Sequence, residues 1–176
     1  MDTIASLAAL CACNAPSGRE GPAAEKAMEL LRPLVDEVWR DSFGNVVGVR
    51  RCGKEKARRV VLDAHLDEVG LVITGAADGF LRVRPVGGLD PRMLPDREVT
   101  ILSQPPRLGV VAVLPPHVQK AGEGDKSLTI DQLCLDAGLT QKEAEALVGT
   151  FAVPRGPLRR LLNGSVSAKA LDDRAG

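Results

Sequence analysis

The stretch that decides the fold is VVLDAHLDEVGLVIT, residues 60–74. Apolar and β-branched residues dominate it, which is typical of a buried strand. His65 and Asp67 stand two positions apart, so in an extended segment both side chains project to the same side. We predict that they lie at the C-terminal end of a strand in a mostly parallel sheet, where open α/β folds place their sites.

The pattern of His65 and Asp67 has two interpretations. A metal-bound imidazole usually donates its other ring N–H to an acceptor that fixes the tautomer, and Asp67 is placed to be that acceptor. A buried histidine paired with an acid is also a common way to satisfy two polar groups in a core. The spacing alone leaves both interpretations open.

The composition narrows the functional classes. The chain has 176 residues, 44% of them hydrophobic and 26% charged, and 23 basic residues balance 23 acidic ones. This is typical of a folded globular protein with room for one sizeable core or two small domains. Balanced charge gives no electrostatic surface for nucleic acid or an anionic membrane, and 2% aromatic residues are too few for base stacking. We therefore exclude both partners.

The cysteines and the N-terminus indicate an intracellular protein. The four cysteines show no Cys-X-X-Cys spacing, so we interpret them as reduced thiols, most of which pack in the interior. Asp2 precedes a short apolar stretch, which is the wrong charge for a signal peptide, and no apolar run is long enough to span a bilayer. The expected location is the cytoplasm.

The first third of the chain predicts helices followed by a hairpin. Apolar residues at helical spacing predict a helix over residues 3–13, and the capping-box pattern of residues 17–20 predicts a second helix to about Leu34. Two β-rich segments, residues 37–41 and 46–50, flank a Gly-Asn pair that suits a tight turn.

Short β segments separated by Pro and Gly follow Thr74. A second capping box, Thr140 to Glu143, predicts a helix to about Val148. The composition predicts a β-rich insert over residues 74–162 within a domain formed by residues 1–73 and 163–176. The predicted strands are residues 80–84, 98–102, 109–114, 127–135 and 150–153.

Motifs along the whole chain resemble those of the glutamyl and deblocking aminopeptidases, co-catalytic metallopeptidases that build tetrahedral dodecamers. They occur in the family's order, which makes the set far more specific than any one of them. The matching segments are residues 16–20, 41–45, 64–70, 79–81, 86–88, 115–117 and 169–176.

The resemblance implies an α/β fold, with a zinc-peptidase-like α/β/α catalytic domain interrupted by a β-rich, barrel-like insert that carries the dimer contact. It also implies short peptide substrates with a free N-terminus and a homo-oligomer built from dimers, up to a dodecamer. The expected cofactors are two divalent metal ions, which could be zinc, cobalt or manganese because the ligand types do not separate them.

The resemblance also assigns roles to individual residues. His65 matches a metal ligand, Asp67 matches the catalytic acid that orients it, and Asp172 matches the carboxylate that bridges both metals. Two ions held in this way share a water, and they lower its pKa for attack on the peptide carbonyl.

The chain departs from the family in one respect. Beyond the Asp172 motif the family supplies a Glu-Glu pair, another aspartate and a second histidine, and none of these occurs here. The other histidine of the chain, His117, matches a position outside the metal centre, so we expect it to pack or to contact another subunit.

Four more polar residues have structural interpretations. Asp63 could hydrogen-bond a loop, and Glu68 could serve a strand end or a subunit contact. Asp173 and Arg174 directly follow the predicted ligand Asp172, so we expect them to support it rather than to bind metal.

Two alternatives to an aminopeptidase remain. The chain could be an inactive fragment that only dimerises or binds peptide. It could instead be a glycoside hydrolase of the endoglucanase type, which needs two opposed carboxylates that Asp63, Asp67 and Asp172 could supply.

Overall fold

The computed structural model describes residues 2–114 and 127–176. The chain divides into two compact units, one formed by Met1–Glu68 with Gly156–Gly176 and the other by Val69–Arg155. The structure thus places the boundaries several residues earlier than the sequence prediction, at 68/69 and 155/156. The first boundary lies earlier because the strand that begins at Gly70 pairs within the second unit.

The first unit contains two longer helices and two small hairpins. Helices α1 (Thr3–Ala12) and α2 (Gly21–Leu31) precede the antiparallel pair β1 (Glu37–Arg40) and β2 (Val46–Val49). The helices and this hairpin were predicted from sequence. In the C-terminal segment β9 (Arg159–Arg160) pairs with β10 (Val166–Ser167), and the short turn α4 (Leu171–Arg174) follows.

The two helices start by different means. The Asp2 side chain caps α1 by accepting hydrogen bonds from the backbone N–H groups of Ile4 and Ala5, at 2.9 and 3.3 Å. The predicted capping box of residues 17–20 is wrong, because Glu20 occupies the N-cap of α2 without a side-chain cap. Proline near the start of α2 is favourable there since its missing N–H would have no helical partner.

The predicted buried strand at Val60 is wrong. Val60, Val61 and Leu62 lie in no helix or strand, and they are 81%, 84% and 94% exposed. A strand needs a neighbour for its backbone hydrogen bonds, and no described residue pairs with this segment. His65 therefore does not lie at the end of a sheet strand among the described residues.

The second unit is a closed barrel of six antiparallel strands. The strand order is β3-β4-β7-β6-β5-β8, and a barrel-like insert was predicted. The strands are β3 (Gly70–Ala77), β4 (Phe80–Val86), β5 (Glu98–Ile101), β6 (Arg107–Val113), β7 (Leu133–Asp136) and β8 (Phe151–Pro154). The predicted strand over residues 127–135 is shorter than expected, because Ile130–Gln132 forms a 3-10 turn before β7.

Alternation of apolar and polar residues places the barrel core. Leu81 and Val83 point inward from β4 while their neighbours are exposed, and in β5 the buried Val99 and Ile101 lie on either side of the half-buried Thr100. The predicted capping box at Thr140 is confirmed: the Thr140 hydroxyl and backbone N–H both bind the Glu143 carboxylate, at 2.7 and 2.9 Å, and open α3 (Gln141–Glu145).

Gly79 in the β3–β4 turn tests the packing of the barrel. Its φ is +85°, and a Cβ there would lie 2.2 Å from the Leu139 carbonyl oxygen, whereas Gly149 has φ +87° and open space. Both Gly→Ala substitutions cost left-handed strain of roughly 1–3 kcal/mol. We expect Gly79→Ala to cost about 1–3 kcal/mol more because the backbone must move. Urea unfolding followed by circular dichroism measures the difference, and equal costs would contradict the packing.

Two smaller expectations concern cysteines and membranes. Cys11, Cys13, Cys52 and Cys134 are free thiols, as predicted. No helix among the described residues is long and apolar enough to cross a membrane.

Candidate metal centre

The three residues expected at the site lie together in the first unit. His65 Nδ1 is 2.9 Å from Asp67 Oδ1, and His65 Nε2 is 3.3 Å from Asp172 Oδ1. The exposed fractions of the side chains are 54% for His65, 33% for Asp67 and 97% for Asp172. The imidazole thus has one carboxylate at each nitrogen, at an accessible surface.

The carboxylates around His65 favour the protonated, positively charged form of its imidazole. Desolvation by itself would lower the pKa of His65, but the hydrogen bond to Asp172 and the hydrogen bond and charge of Asp67 outweigh it and raise that pKa. An ionised carboxylate can only accept, and the contact of Nδ1 with Asp67, at 2.9 Å, is shorter than that of Nε2 with Asp172, at 3.3 Å, which favours the proton of a neutral ring on Nδ1. In the neutral ring Nε2 then has its lone pair directed to the Asp172 side.

The Nε2–Asp172 spacing fits a shared metal ion. Two ligand atoms that each lie about 2.0–2.2 Å from a tetrahedral ion are separated by roughly 3.4 Å. The observed separation of 3.3 Å agrees with that value. Asp67 contacts the other ring nitrogen, at 2.9 Å. The part of the chain that the structure describes contains no group of three or more His, Cys, Asp or Glu side chains able to hold a metal.

Arg174 anchors the segment that carries Asp172. Its side chain is fully buried, and it donates from Nε to the Leu66 carbonyl at 3.0 Å. Its Nη1 donates to the carbonyls of Leu10 and Cys13, at 2.8 and 2.9 Å. Arg174 therefore joins the end of α1, the His65 segment and the Asp172 turn, in agreement with its predicted supporting role.

With Lys169 and Arg174, the buried Glu68 holds two segments of the first unit together; we call these three residues the buried brace. The predicted strand-end or subunit contact of Glu68 did not include these bonds. Its Oε1 accepts from the backbone N–H of Ala15 at 2.8 Å and from Lys169 Nζ at 2.9 Å. The backbone N–H of Glu68 also donates to the Ala15 carbonyl at 3.0 Å. Desolvation lowers the pKa of Lys169, which the charge of Glu68 partly opposes. In the sequence, the one feature that pointed to a buried role for Glu68 was its position within a run of apolar residues.

Sequence reasoning also missed Ser17 as a site residue. Its hydroxyl donates a hydrogen bond to Asp67 Oδ2, the carboxylate oxygen that does not face His65. The capping-box pattern of residues 17–20 was misleading, because it predicted that Ser17 caps α2.

The remaining candidates lie apart from these contacts. Asp63 is exposed, and Asp173 is half-buried next to the ligand position. His117 lies outside the described residues, so the structure does not test its expected role.

Comparison with known proteins gives the class and then the family. The lysyl aminopeptidase of Pyrococcus furiosus is 32% identical over 154 residues, which are 84% of this chain and 44% of the relative. A solved aminopeptidase from Desulfurococcus kamchatkensis has a TM-score of 0.87 and 35% identity, covering 99% of this chain and 49% of that one. The Pyrococcus horikoshii TET1 peptidase, which can assemble into a tetrahedron or a large octahedral shell, has a TM-score of 0.79 and 31% identity, covering 98% and 52%.

These three relatives are all peptidases. The family model described as M42 glutamyl aminopeptidase matches residues 44–176, and the chain belongs to that family. It spans about half the length of the relatives it matches.

Proposed function

We propose that this chain forms part of a metal-dependent aminopeptidase that removes N-terminal residues from short peptides. The observation that carries the proposal is the placement of His65 Nε2 within 3.3 Å of Asp172 Oδ1, with Asp67 at the other ring nitrogen. Membership of the M42 glutamyl aminopeptidase family supports the peptidase chemistry.

The residues present have distinct roles in this proposal. His65 and Asp172 would each ligate a metal, with Asp172 as the bridging carboxylate, and Asp67 would hold the imidazole in its ligating orientation. Two divalent ions, which could be zinc, cobalt or manganese, would supply Lewis acidity toward the peptide carbonyl and lower the pKa of a shared water. Arg174 and Glu68 keep the segments that carry these side chains in place.

The architecture and assembly also follow the family in this proposal. The first unit would belong to a zinc-peptidase-like α/β/α domain, and the barrel would carry the contact between subunits. A homo-oligomer built from dimers, up to a dodecamer, is supported by the assembly described for the Pyrococcus horikoshii relative. We propose a cytoplasmic location.

The test requires the family's full length, because this chain spans about half of it. We would join residues 1–176 to the second half of the Pyrococcus furiosus lysyl aminopeptidase and assay release of N-terminal residues from short peptides. We expect release that a chelator abolishes. His65→Ala should reduce it at least 10²-fold, since loss of an outer partner of a metal ligand already costs about 10–100-fold.

Asp63→Asn is the matched control, because Asp63 is an exposed acid two positions before His65. Its activity should equal that of the parent protein. Release that resists chelator, or that survives His65→Ala, would contradict the proposal. Hydrolysis of cellulosic substrates instead of peptides would favour the glycoside hydrolase alternative.

A further inference from the structure

The hydroxyl of Ser17 makes a contact that its local sequence does not explain. Ser17 lies between α1 and α2, and its Oγ binds Asp67 Oδ2 across a separation of 50 residues in sequence. The predicted use of this hydroxyl was to cap α2, but Glu20 occupies that N-cap position. Ser17 therefore belongs to the surroundings of His65 and not to the helix terminus.

Ser17, Asp67 and His65 form a directed chain of hydrogen bonds. Ser17 donates to Asp67 Oδ2, and Asp67 Oδ1 lies 2.9 Å from His65 Nδ1, where it can accept from a ring N–H. Without the hydroxyl, Asp67 would lose the partner that fixes one of its two oxygens. A carboxylate on a single bond rotates freely, so the oxygen that faces Nδ1 would no longer be held in the plane of the ring.

The backbone around Ser17 is clamped to the segment that carries Asp67. Ala15 and Glu68 exchange two hydrogen bonds, from Ala15 N–H to Glu68 Oε1 at 2.8 Å and from Glu68 N–H to the Ala15 carbonyl at 3.0 Å. Pro16 forms a parallel β-bridge with Glu68. Ala15 is fully buried and Glu68 is 5% exposed, so water competes little for these bonds. Such a clamp sets the position of the Ser17 hydroxyl before any ligand binds.

We propose that Ser17 is a positioning residue for His65. By fixing the Asp67 carboxylate, it selects the Nδ1–H tautomer of His65 and directs Nε2 toward Asp172. The effect on metal affinity rests on the proposed function, whereas the effect on the tautomer does not. Outer partners of metal-ligating histidines typically change metal affinity by about 10–100-fold, and a partner one bond further out should lie at the low end.

The tautomer is read directly by long-range ¹H–¹⁵N correlation spectra of the 176-residue chain. The chain has 2 histidines, so His117→Gln assigns both imidazoles. At about pH 9, above the usual histidine titration, wild-type His65 should show a protonated Nδ1 and an unprotonated Nε2. In Ser17→Ala both ¹⁵N shifts should move toward the average of the two tautomers.

Further variants at position 17 distinguish an effect of the lost hydroxyl from an effect on folding. Ser17→Thr keeps the hydroxyl and should retain the wild-type spectrum, while Ser17→Cys has a similar size with a weak donor and should resemble Ser17→Ala. Ser6→Ala is the matched control, because the Ser6 hydroxyl binds the Asp2 carbonyl at 3.1 Å, within α1. Trp39 fluorescence checks that the first unit is folded in each variant.

Zinc affinity, measured by competition with a fluorescent chelator, is the second readout. We expect binding about tenfold weaker in Ser17→Ala and unchanged in Ser17→Thr. Unchanged ¹⁵N shifts in folded Ser17→Ala or Ser17→Cys, or a Ser17→Thr spectrum equal to that of Ser17→Ala, would overturn the inference. If the tautomer responds as expected but the chimeric enzyme is inactive, the proposed function fails while the positioning role stands.

Discussion

Replacing Arg174 with alanine is expected to lower the free energy of unfolding of the first unit by about 3–5 kcal/mol. The Arg174 side chain is completely buried and makes three hydrogen bonds to main-chain carbonyls, those of Leu66, Leu10 and Cys13. The substitution would leave these carbonyls without their partner and open a cavity. Glu68 would also lose a cation 3.8 Å from its carboxylate.

Arg174→Lys distinguishes the contribution of the positive charge to stability from that of the planar guanidinium group. Arg174→Lys keeps a cation but lacks the planar group that reaches several acceptors at once, so we expect an intermediate loss. Arg174 Nη2 has no hydrogen-bond partner within the described ranges 2–114 and 127–176, so its contribution comes from the charge near Glu68. Arg174→Lys should therefore preserve more stability than Arg174→Ala but less than the wild type.

Arg51 provides the matched control within the same unit. It pairs with Glu37 at 2.5 Å, but the two side chains are 60% and 52% exposed. Exposed ion pairs contribute about 0–1 kcal/mol, so Arg51→Ala should change stability little. The chain has 1 tryptophan, Trp39 in β1, so urea unfolding followed by its fluorescence reports on the first unit. Equal losses for Arg174→Ala and Arg51→Ala would contradict the bracing role.

Strand alternation explains why most of the barrel could be predicted. Leu81 and Val83 are buried between exposed neighbours, and the turn at Asp78 and Gly79 adopts positive φ values, so pattern and turn chemistry agree. Such local signals are contained in a few consecutive residues. The capping box at Thr140 belongs to the same class.

The Val60 segment shows where local pattern fails. Its residues have the composition of a buried strand, yet burial depends on a partner that the described residues do not supply. The Ser17 capping pattern failed for a related reason. A serine oxygen can cap a helix by accepting from a backbone N–H, but the hydroxyl of Ser17 donates instead to Asp67, which is 50 residues away in sequence and is brought close by the tertiary fold.

The candidate site could be anticipated only through the family motifs. His65 and Asp172 are separated by 107 residues, and no spacing rule connects positions so distant. The resemblance named both residues, and the structure brings them within 3.3 Å of each other. The supporting role of Arg174 was predicted from its place beside Asp172, but its main-chain acceptors and the pairing of Glu68 with Lys169 were not, because these contacts join segments that are distant in sequence.

The 176-residue chain alone is expected to release no N-terminal residues above background, even with excess zinc, cobalt or manganese. A catalytic zinc normally has three protein ligands, whereas His65 and Asp172 are the two that the resemblance assigns here. The Glu-Glu pair that would supply the general base is absent from the sequence, and losing a general base typically costs about 10²–10⁴-fold in rate. Both deficits act on the same step, so the combined loss should exceed either one.

The measurement compares the chain with the chimeric enzyme at equal concentration, on the same peptides, with and without chelator. We expect weak zinc binding by the chain that His65→Ala removes, together with no peptide turnover. The exposed Val60, Val61 and Leu62 side chains should also promote self-association, which light scattering would detect. Metal-dependent turnover by the purified chain that disappears in His65→Ala would contradict the prediction. Because His65 and Asp172 supply two ligands, the remaining ligands and a base would then have to come from acids outside the family motifs, on the same chain or on a neighbouring copy in the associated state.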